Sequence, residues 1–140
     1  MKNTLTIHIQ NRLSELEKVN QRLQTFFNAH PQSMHVRNAV HLAIDELISN
    51  IILHGYADRA DHQIEIRVAL VEDQLVVKIE DDARPFNPLT APPADTESPL
   101  SERPIGGLGI HLVRNLTDTL HYEYRNQHNV LTLKIATEEP

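Results

Sequence analysis

The sequence predicts an α+β fold: a two-layer sandwich of one mixed, mostly antiparallel sheet with helices packed on one face. Two observations carry the prediction. Two pairs of segments alternate apolar and polar residues around short turns and read as hairpins, which pair antiparallel. Three other segments repeat apolar residues at helical spacing, in the order strand, two helices, hairpin, long loop, helix, hairpin.

Residues 4–9 alternate in part and read as a short strand. A helix follows from about Arg12 to Ala29, where Leu13, Leu16, Val19, Leu23, Phe26 and Phe27 draw one apolar stripe. Pro31 ends that run, and Ser33 suits the N-cap of a second helix because its short side chain can accept from an unpaired backbone N–H. The second helix carries Val36, Val40, Ala43, Ile44, Leu47, Ile48, Ile51 and Ile52, a wide apolar arc expected of a central buried helix, and Gly55 marks its end. Residues Gln63–Val71 set Ile64, Ile66, Val68 and Leu70 against Glu65, Arg67 and Ala69. A turn at Asp73-Gln74 and a return strand Leu75–Ile79 complete a hairpin. Between Asp82 and Pro104 stand six of the eight prolines, which excludes a helix or a central strand there. Gly106-Gly107-Leu108-Gly109 then opens a helix to about Leu116, and strands at Thr119–Arg125 and Val130–Ala136 flank a turn at Asn126–Asn129. With no internal repeat and no linker, residues 1–140 read as a single domain.

Composition removes several classes of function. The chain of 140 residues has no cysteine, which excludes disulfides and thiolate zinc sites. Its net charge is −6, from 13 basic and 19 acidic residues, the wrong balance for tracking a phosphate backbone, so no direct nucleic-acid partner is expected. No apolar stretch approaches the roughly 20 residues that span a bilayer. The N-terminus lacks an apolar signal core, so the cytoplasm is the expected location. The nine histidines form no HExxH; His8, His30, His35, His62 and His128 read as surface or turn residues, and no metal is expected on them.

Three sites carry chemistry. On the second helix Glu46, Asn50 and His54 are spaced four apart, so they line one stripe amid Leu47, Ile48, Ile51 and Ile52. Asn offers a neutral carbonyl oxygen suited to Mg²⁺ beside phosphates, and Glu suits a general base. An ordinary polar face with an i,i+4 hydrogen bond explains the spacing equally well. Asp81 follows a strand, where a carboxylate projecting into a cleft would accept from the exocyclic amine of adenine and reject a guanine carbonyl. Read alone, the run Glu80-Asp81-Asp82 is also a plain acidic turn. Gly106, Gly107 and Gly109 are three of the chain's four glycines, and a helix N-terminus behind them favours an anion. This is neither a P-loop nor a dinucleotide fingerprint, and a hinge before a helix is the alternative.

The order of the three sites resolves the ambiguity. E-x-x-x-N-x-x-x-H-x-Y, then D-D-A-R-P-F-N-P-L, then a Pro-rich loop, then R-P-I-G-G-L-G-I-H-L-V resembles the N-box and two glycine boxes of the GHKL ATPases, which include gyrase and histidine kinases. Within that group it looks like the short anti-sigma regulatory factors, serine-protein kinases of partner-switching systems. The resemblance covers nearly the whole chain and implies the Bergerat-type ATP-binding fold. It implies Glu46 as catalytic base and Asn50 as the Mg²⁺ ligand. It implies a cofactor-binding set of Asn50, Asp81, Ala83, Phe86, Gly106, Gly107, Leu108, Gly109 and Ile110, with the loop at about 82–105 as an ATP lid. It implies an ATP- and Mg²⁺-dependent protein serine/threonine kinase, a STAS-type anti-anti-sigma substrate, a sequestered sigma factor or analogous regulator, and a homodimer. His54 and Tyr56 match the subfamily without an assigned role. Ala83 departs from the pattern, standing where Gly is usual, and its methyl would crowd the pocket or demand a negative φ. Asn87 stands where Asp is common. The chain lacks a dimerisation and phosphoacceptor domain, so a complete sensor histidine kinase is not expected. A non-catalytic ATP-binding module that sequesters a partner is the competing reading; the presence of both Glu46 and Asn50 argues against it.

Overall fold

The computed structural model describes residues 3–90 and 107–137. Strand β1 (Thr4–Gln10) leads through a short 3₁₀ turn, Leu13–Glu15, to helices α1 (Leu16–Ala29) and α2 (Met34–His54). The hairpin β2 (Gln63–Val71) and β3 (Gln74–Asp81) follows, then a 3₁₀ turn Pro88–Thr90, helix α3 (Gly107–Leu116) and the hairpin β4 (Thr119–Arg125) and β5 (His128–Ala136). The five strands lie in the order β1-β2-β3-β5-β4.

Every pairing in this sheet is antiparallel, which corrects the mixed sheet expected from the sequence. The cause is topological. β4 runs in the same direction as β3, but β5 lies between them and pairs antiparallel with both. A parallel contact would need β4 itself beside β3.

Three local boundaries also differ, each for an identifiable reason. The first helix begins at Leu16 and not Arg12, because residues 13–15 form a tighter turn in which the Glu15 carboxylate accepts from the Gln10 N–H at 2.8 Å. The first hairpin turns at Glu72-Asp73, with Val71 paired to Gln74 and Glu72 at φ 56°. The second hairpin turns on two residues, Asn126 and Gln127, both with positive φ (53° and 65°), so β5 starts two residues earlier than expected. Positive φ at both central positions is the primed turn whose twist matches a hairpin.

The core lies between one face of the sheet and the helices. Ile7 and Ile9, then Ile64, Ile66 and Val68, then Leu75, Val77 and Ile79, then Leu131, Leu133 and Ile135 point inward on alternate positions. Against them pack Val40, Ala43, Ile44, Leu47 and Ile48 of α2, flanked by Val19, Leu23 and Phe27 of α1 and Ile110 and Val113 of α3. Ile44 and Ile48 are wholly buried, and each such side chain contributes about 1.5–3 kcal/mol. α2 is therefore the central helix that its wide apolar arc predicts. Ser33 caps it, its Oγ accepting from the Val36 N–H at 3.2 Å. A polar clamp joins α1 to α2: Asn20 donates to Asp45 Oδ1 at 3.1 Å while its own oxygen meets His41 Nδ1 at 2.6 Å. The outer sheet face carries polar residues, among them Glu65, which meets His8 at 3.0 Å and Arg67 at 2.8 Å. Among the described residues no helix is long and apolar enough to cross a membrane.

Gln127 in a left-handed conformation costs about 1 kcal/mol that glycine would not. Gln127→Gly is accordingly expected to raise unfolding stability by roughly that amount, measured by urea denaturation at unchanged slope. A neutral or destabilising result would show that the extra freedom glycine gives the unfolded chain outweighs the relief of the turn.

Candidate functional site

β3 ends on a charge that its register carries into the core. Leu75, Val77, Ile79 and Asp81 share one face of the strand, and Asp81 is only 4% exposed. Its partner across the sheet is Asn129 of β5, itself 7% exposed. Asp81 Oδ1 accepts from the Ala83 N–H and from Asn129 Nδ2, each at 2.9 Å. Among the described residues Oδ2 takes no hydrogen bond. Burial pushes the Asp81 carboxyl up from its ordinary range, and the Asn129 and Ala83 donors oppose that push. A buried carboxylate with one oxygen tied down is a built acceptor, and no acidic surface turn has this form.

The turn that follows is locked to the end of α2. The Arg84 N–H donates to the Gly55 carbonyl at 3.0 Å. A Cβ placed on Gly55 would stand 2.8 Å from the Ala83 Cβ and 2.6 Å from the Ile51 carbonyl oxygen. Ala83 itself is buried and is not among the described residues with positive φ. The methyl that departs from the glycine-box pattern is thus accommodated: its φ is one that alanine adopts readily, and the room it fills is left by Gly55.

On α2, Glu46 and Asn50 are half-buried. The Asn50 Nδ2 is buried with no hydrogen-bond partner among the described residues. An i,i+4 bond on a polar helix face would have satisfied it. An orphaned amide costs about 1–3 kcal/mol in a folded interior, a cost a bound polar ligand would offset. Either end of the amide can face such a ligand, since its two orientations differ only by a flip. This unpaired amide fits a site that accepts a hydrated cation or a phosphate.

Helix α3 opens at Gly107, with Leu108, Gly109 and Ile110 in its first turn. Those first N–H groups have no partner inside the helix. Ile110 is buried in the core, so only its backbone is available to a ligand. The Phe86 side chain is 52% exposed; what Phe86 gives the site is its N–H, which donates to Asn129 Oδ1 at 3.2 Å. Gly106 and most of the expected lid, from residue 91 to 105, lie outside the described residues.

Sequence reasoning missed two groups here. Asn129 was read only as part of a turn, yet it sits on an inward strand position. A polar residue heading the alternation Asn129, Leu131, Leu133, Ile135 was the available signal. His62 was read as a surface or turn residue, and it does lie in the segment before β2, but that reading gave no hint of its partners. Its ring stacks on Tyr56 (4.3 Å between centroids, 19° between planes) and is bracketed by Asp58 at 2.8 Å and Asp82 at 3.0 Å. Bonds to Asp58 and then Asp82 raise the His62 pKa. Burial raises that of Tyr56, assisted by Asp81 and Asp82. The Tyr56 hydroxyl is buried and faces the Asp82 carboxylate, which helps to hold its proton in place.

Gly55→Ala is expected to destabilise the fold by about 1–3 kcal/mol through overpacking, with Ala83→Gly in the same chain recovering part of the loss; equal stability of single and double variants would refute the contact. His62 is expected to titrate above 6.5 in an NMR experiment, and lower in Asp82→Asn. Because the folded value is raised, the stability from this pairing is fully present below pH 6.5 and fades as pH rises through the folded value.

Comparison with known proteins places the chain in a family. A model of the histidine kinase-like ATPase domain matches residues 9–135. Over 102 residues the chain is 28% identical to the serine-protein kinase RsbW of Listeria monocytogenes serovar 1/2a and 30% identical to that of Bacillus mycoides, in each case 70% of this chain. An anti-sigma F factor from Clostridium novyi is 30% identical over 86 residues, 60% of this chain and 59% of the relative. The chain spans 65% and 63% of the length of the two RsbW relatives. In fold it resembles the RsbU and RsbW domains of Rv1364c from Mycobacterium tuberculosis, with TM-score 0.71 at 16% identity, covering 98% of this chain and 33% of that one. The Acinetobacter baumannii histidine kinase AdeS is a more distant match, with TM-score 0.52 at 17% identity, covering 99% of this chain and 70% of that one. With the family model running from β1 into β5, through the helix of Asn50 and the strand of Asp81, the chain belongs to the histidine kinase-like ATPase domain family.

Proposed function

We propose that the chain is an ATP-dependent anti-sigma factor and serine-protein kinase. In this reading it phosphorylates a STAS-type anti-anti-sigma protein on serine, and it sequesters a sigma factor or analogous regulator when that antagonist is displaced. It acts in the cytoplasm, as a homodimer. The observation that carries the reading is the buried Asp81 carboxylate, with Oδ1 held by two donors and Oδ2 unbonded among the described residues. The relatives that bear the names serine-protein kinase and anti-sigma F factor support it.

Each residue then has a defined task. Asp81 accepts from the exocyclic amine of adenine; a guanine would meet it with a carbonyl oxygen, acceptor against acceptor. The backbone N–H groups at the start of α3, from Gly107 to Ile110, donate to the phosphates, aided by the positive end of the helix dipole. Asn50, whose amide lacks a partner, would hold Mg²⁺. When bound there, the ion would supply charge neutralisation at the phosphates, which phosphoryl transfer needs more than covalent help. Glu46, one turn before Asn50 on the same stripe, takes the proton of the substrate serine as its oxygen bonds to the γ-phosphorus and the bond to ADP breaks. The new phosphoserine adds negative charge at the antagonist's interface and releases it.

The test is phosphoserine formation on a STAS-type partner with ATP and Mg²⁺. Glu46→Ala is expected to slow transfer by about 10²–10⁴-fold while leaving ATP affinity nearly unchanged. Undiminished transfer would remove Glu46 from that role. Asp81→Asn is expected to weaken ATP binding by about tenfold or more, the loss of one charge-assisted hydrogen bond. Titration calorimetry reads this directly, and a wild-type chain that binds no ATP would sink the proposal.

A further inference from the structure

The Asn129 side chain is satisfied on every side, and its partners leave only one way for the amide to face. Nδ2 points at three acceptors: Asp81 Oδ1 at 2.9 Å, the Arg84 carbonyl at 3.0 Å and the Ala83 carbonyl at 3.2 Å. Oδ1 faces two donors, the Tyr122 hydroxyl at 2.5 Å and the Phe86 N–H at 3.2 Å. Flipping the amide would set an oxygen against three oxygens, so chemistry fixes the orientation. One short side chain therefore joins the end of β3, the backbone of residues 83–86 and a tyrosine of β4.

We propose that Asn129 is a positioning residue for base recognition, fixing which oxygen Asp81 presents and the course of residues 83–86 beside it. The inference rests on the nucleotide reading above. A carboxylate turns readily about its last torsion, which has no sharp minima. Donors on Oδ1 from two directions, the Ala83 N–H and Asn129, stop that rotation and leave Oδ2 as the acceptor. The Asn129 bond also opposes the upward push of burial on Asp81, which favours the ionised acceptor-only form.

Asparagine is the one short side chain with two N–H donors and an acceptor. Aspartate offers oxygen to the three acceptors around Nδ2. Serine reaches at most one of them with its single O–H. Alanine strands the buried Asp81 oxygen and the carbonyls of residues 83 and 84. The role is thus specific to the amide and is not one of filling space.

The test compares ATP with ITP, which carries a carbonyl where adenine has its amine, by titration calorimetry on the full chain. Wild type is expected to prefer ATP. Asn129→Ser and Asn129→Asp are expected to lose about tenfold or more in ATP affinity with little change for ITP, so that the preference collapses. Equal losses for both nucleotides would mean a merely structural role and overturn the inference, with the proposed function intact. A second measurement needs no nucleotide and covers the case in which Asn129→Asp fails to fold. In Asn129→Ser the amides of Ala83 and Phe86 are expected to exchange hydrogen about tenfold faster than in wild type, while that of Ile79 keeps its protection. Unchanged exchange at Ala83 and Phe86 overturns the inference whatever binds. A wild type that binds neither nucleotide overturns the proposed function, and the base-recognition role with it.

Discussion

A carboxylate held in the interior at the end of a central strand sets the terms for everything around it. Asp81 occupies an inward position where β3 otherwise places Leu75, Val77 and Ile79. Burying an ionisable group without partners is costly, and the structure meets that cost with two donors on one oxygen. One donor comes from the chain two residues on. The other comes from Asn129, which register places directly opposite. The antiparallel pairing of β3 with β5 is thus what makes the acid tolerable, and the primed turn at Asn126-Gln127 sets Asn129 at that level of the sheet.

The second constraint is a contact between backbones. The carbonyl of Gly55 receives the Arg84 N–H, and its bare Cα leaves room for the Ala83 methyl. The helix bearing Glu46 and Asn50 is tied by the glycine that caps its C-terminus to the turn that leaves Asp81. Two halves of the proposed nucleotide pocket, one reading the base and one holding the phosphates, are therefore fixed relative to each other by van der Waals contact and one hydrogen bond. Among the described residues the Asn50 Nδ2, buried without a partner, lies at this same end of α2. Unsatisfied polar atoms are rare in folded interiors, and this one is what a nucleotide bound in the proposed pocket would satisfy.

Local chemistry was legible wherever one residue's neighbours in the chain decide it. Ser33 as a cap, Gly55 as a helix end, the alternation of Ile64, Ile66 and Val68, and the breaking power of the prolines all act over a few residues. Boundaries slipped where a turn's backbone conformation intervened. Glu72 and Gln127 adopt positive φ without being the residues that usually signal it, so both hairpin turns were misplaced. Ala83 looked like a defect because the glycine pattern it departs from is local, while the space that accommodates it is provided 28 positions earlier in the chain.

By itself, the sequence determined the element types and their order. It also determined the central place of α2 and the three ordered motifs that mark the family, because periodicity, capping and motif spacing are properties of contiguous residues. Only the tertiary structure decided that the sheet is wholly antiparallel, because β5 comes to lie between two strands that run the same way. Only it brought Asn129 to Asp81, Asp82 to His62, and Gly55 under Ala83. These pairings join residues far apart in the chain, and their distances are set by strand order and register, which no local pattern encodes.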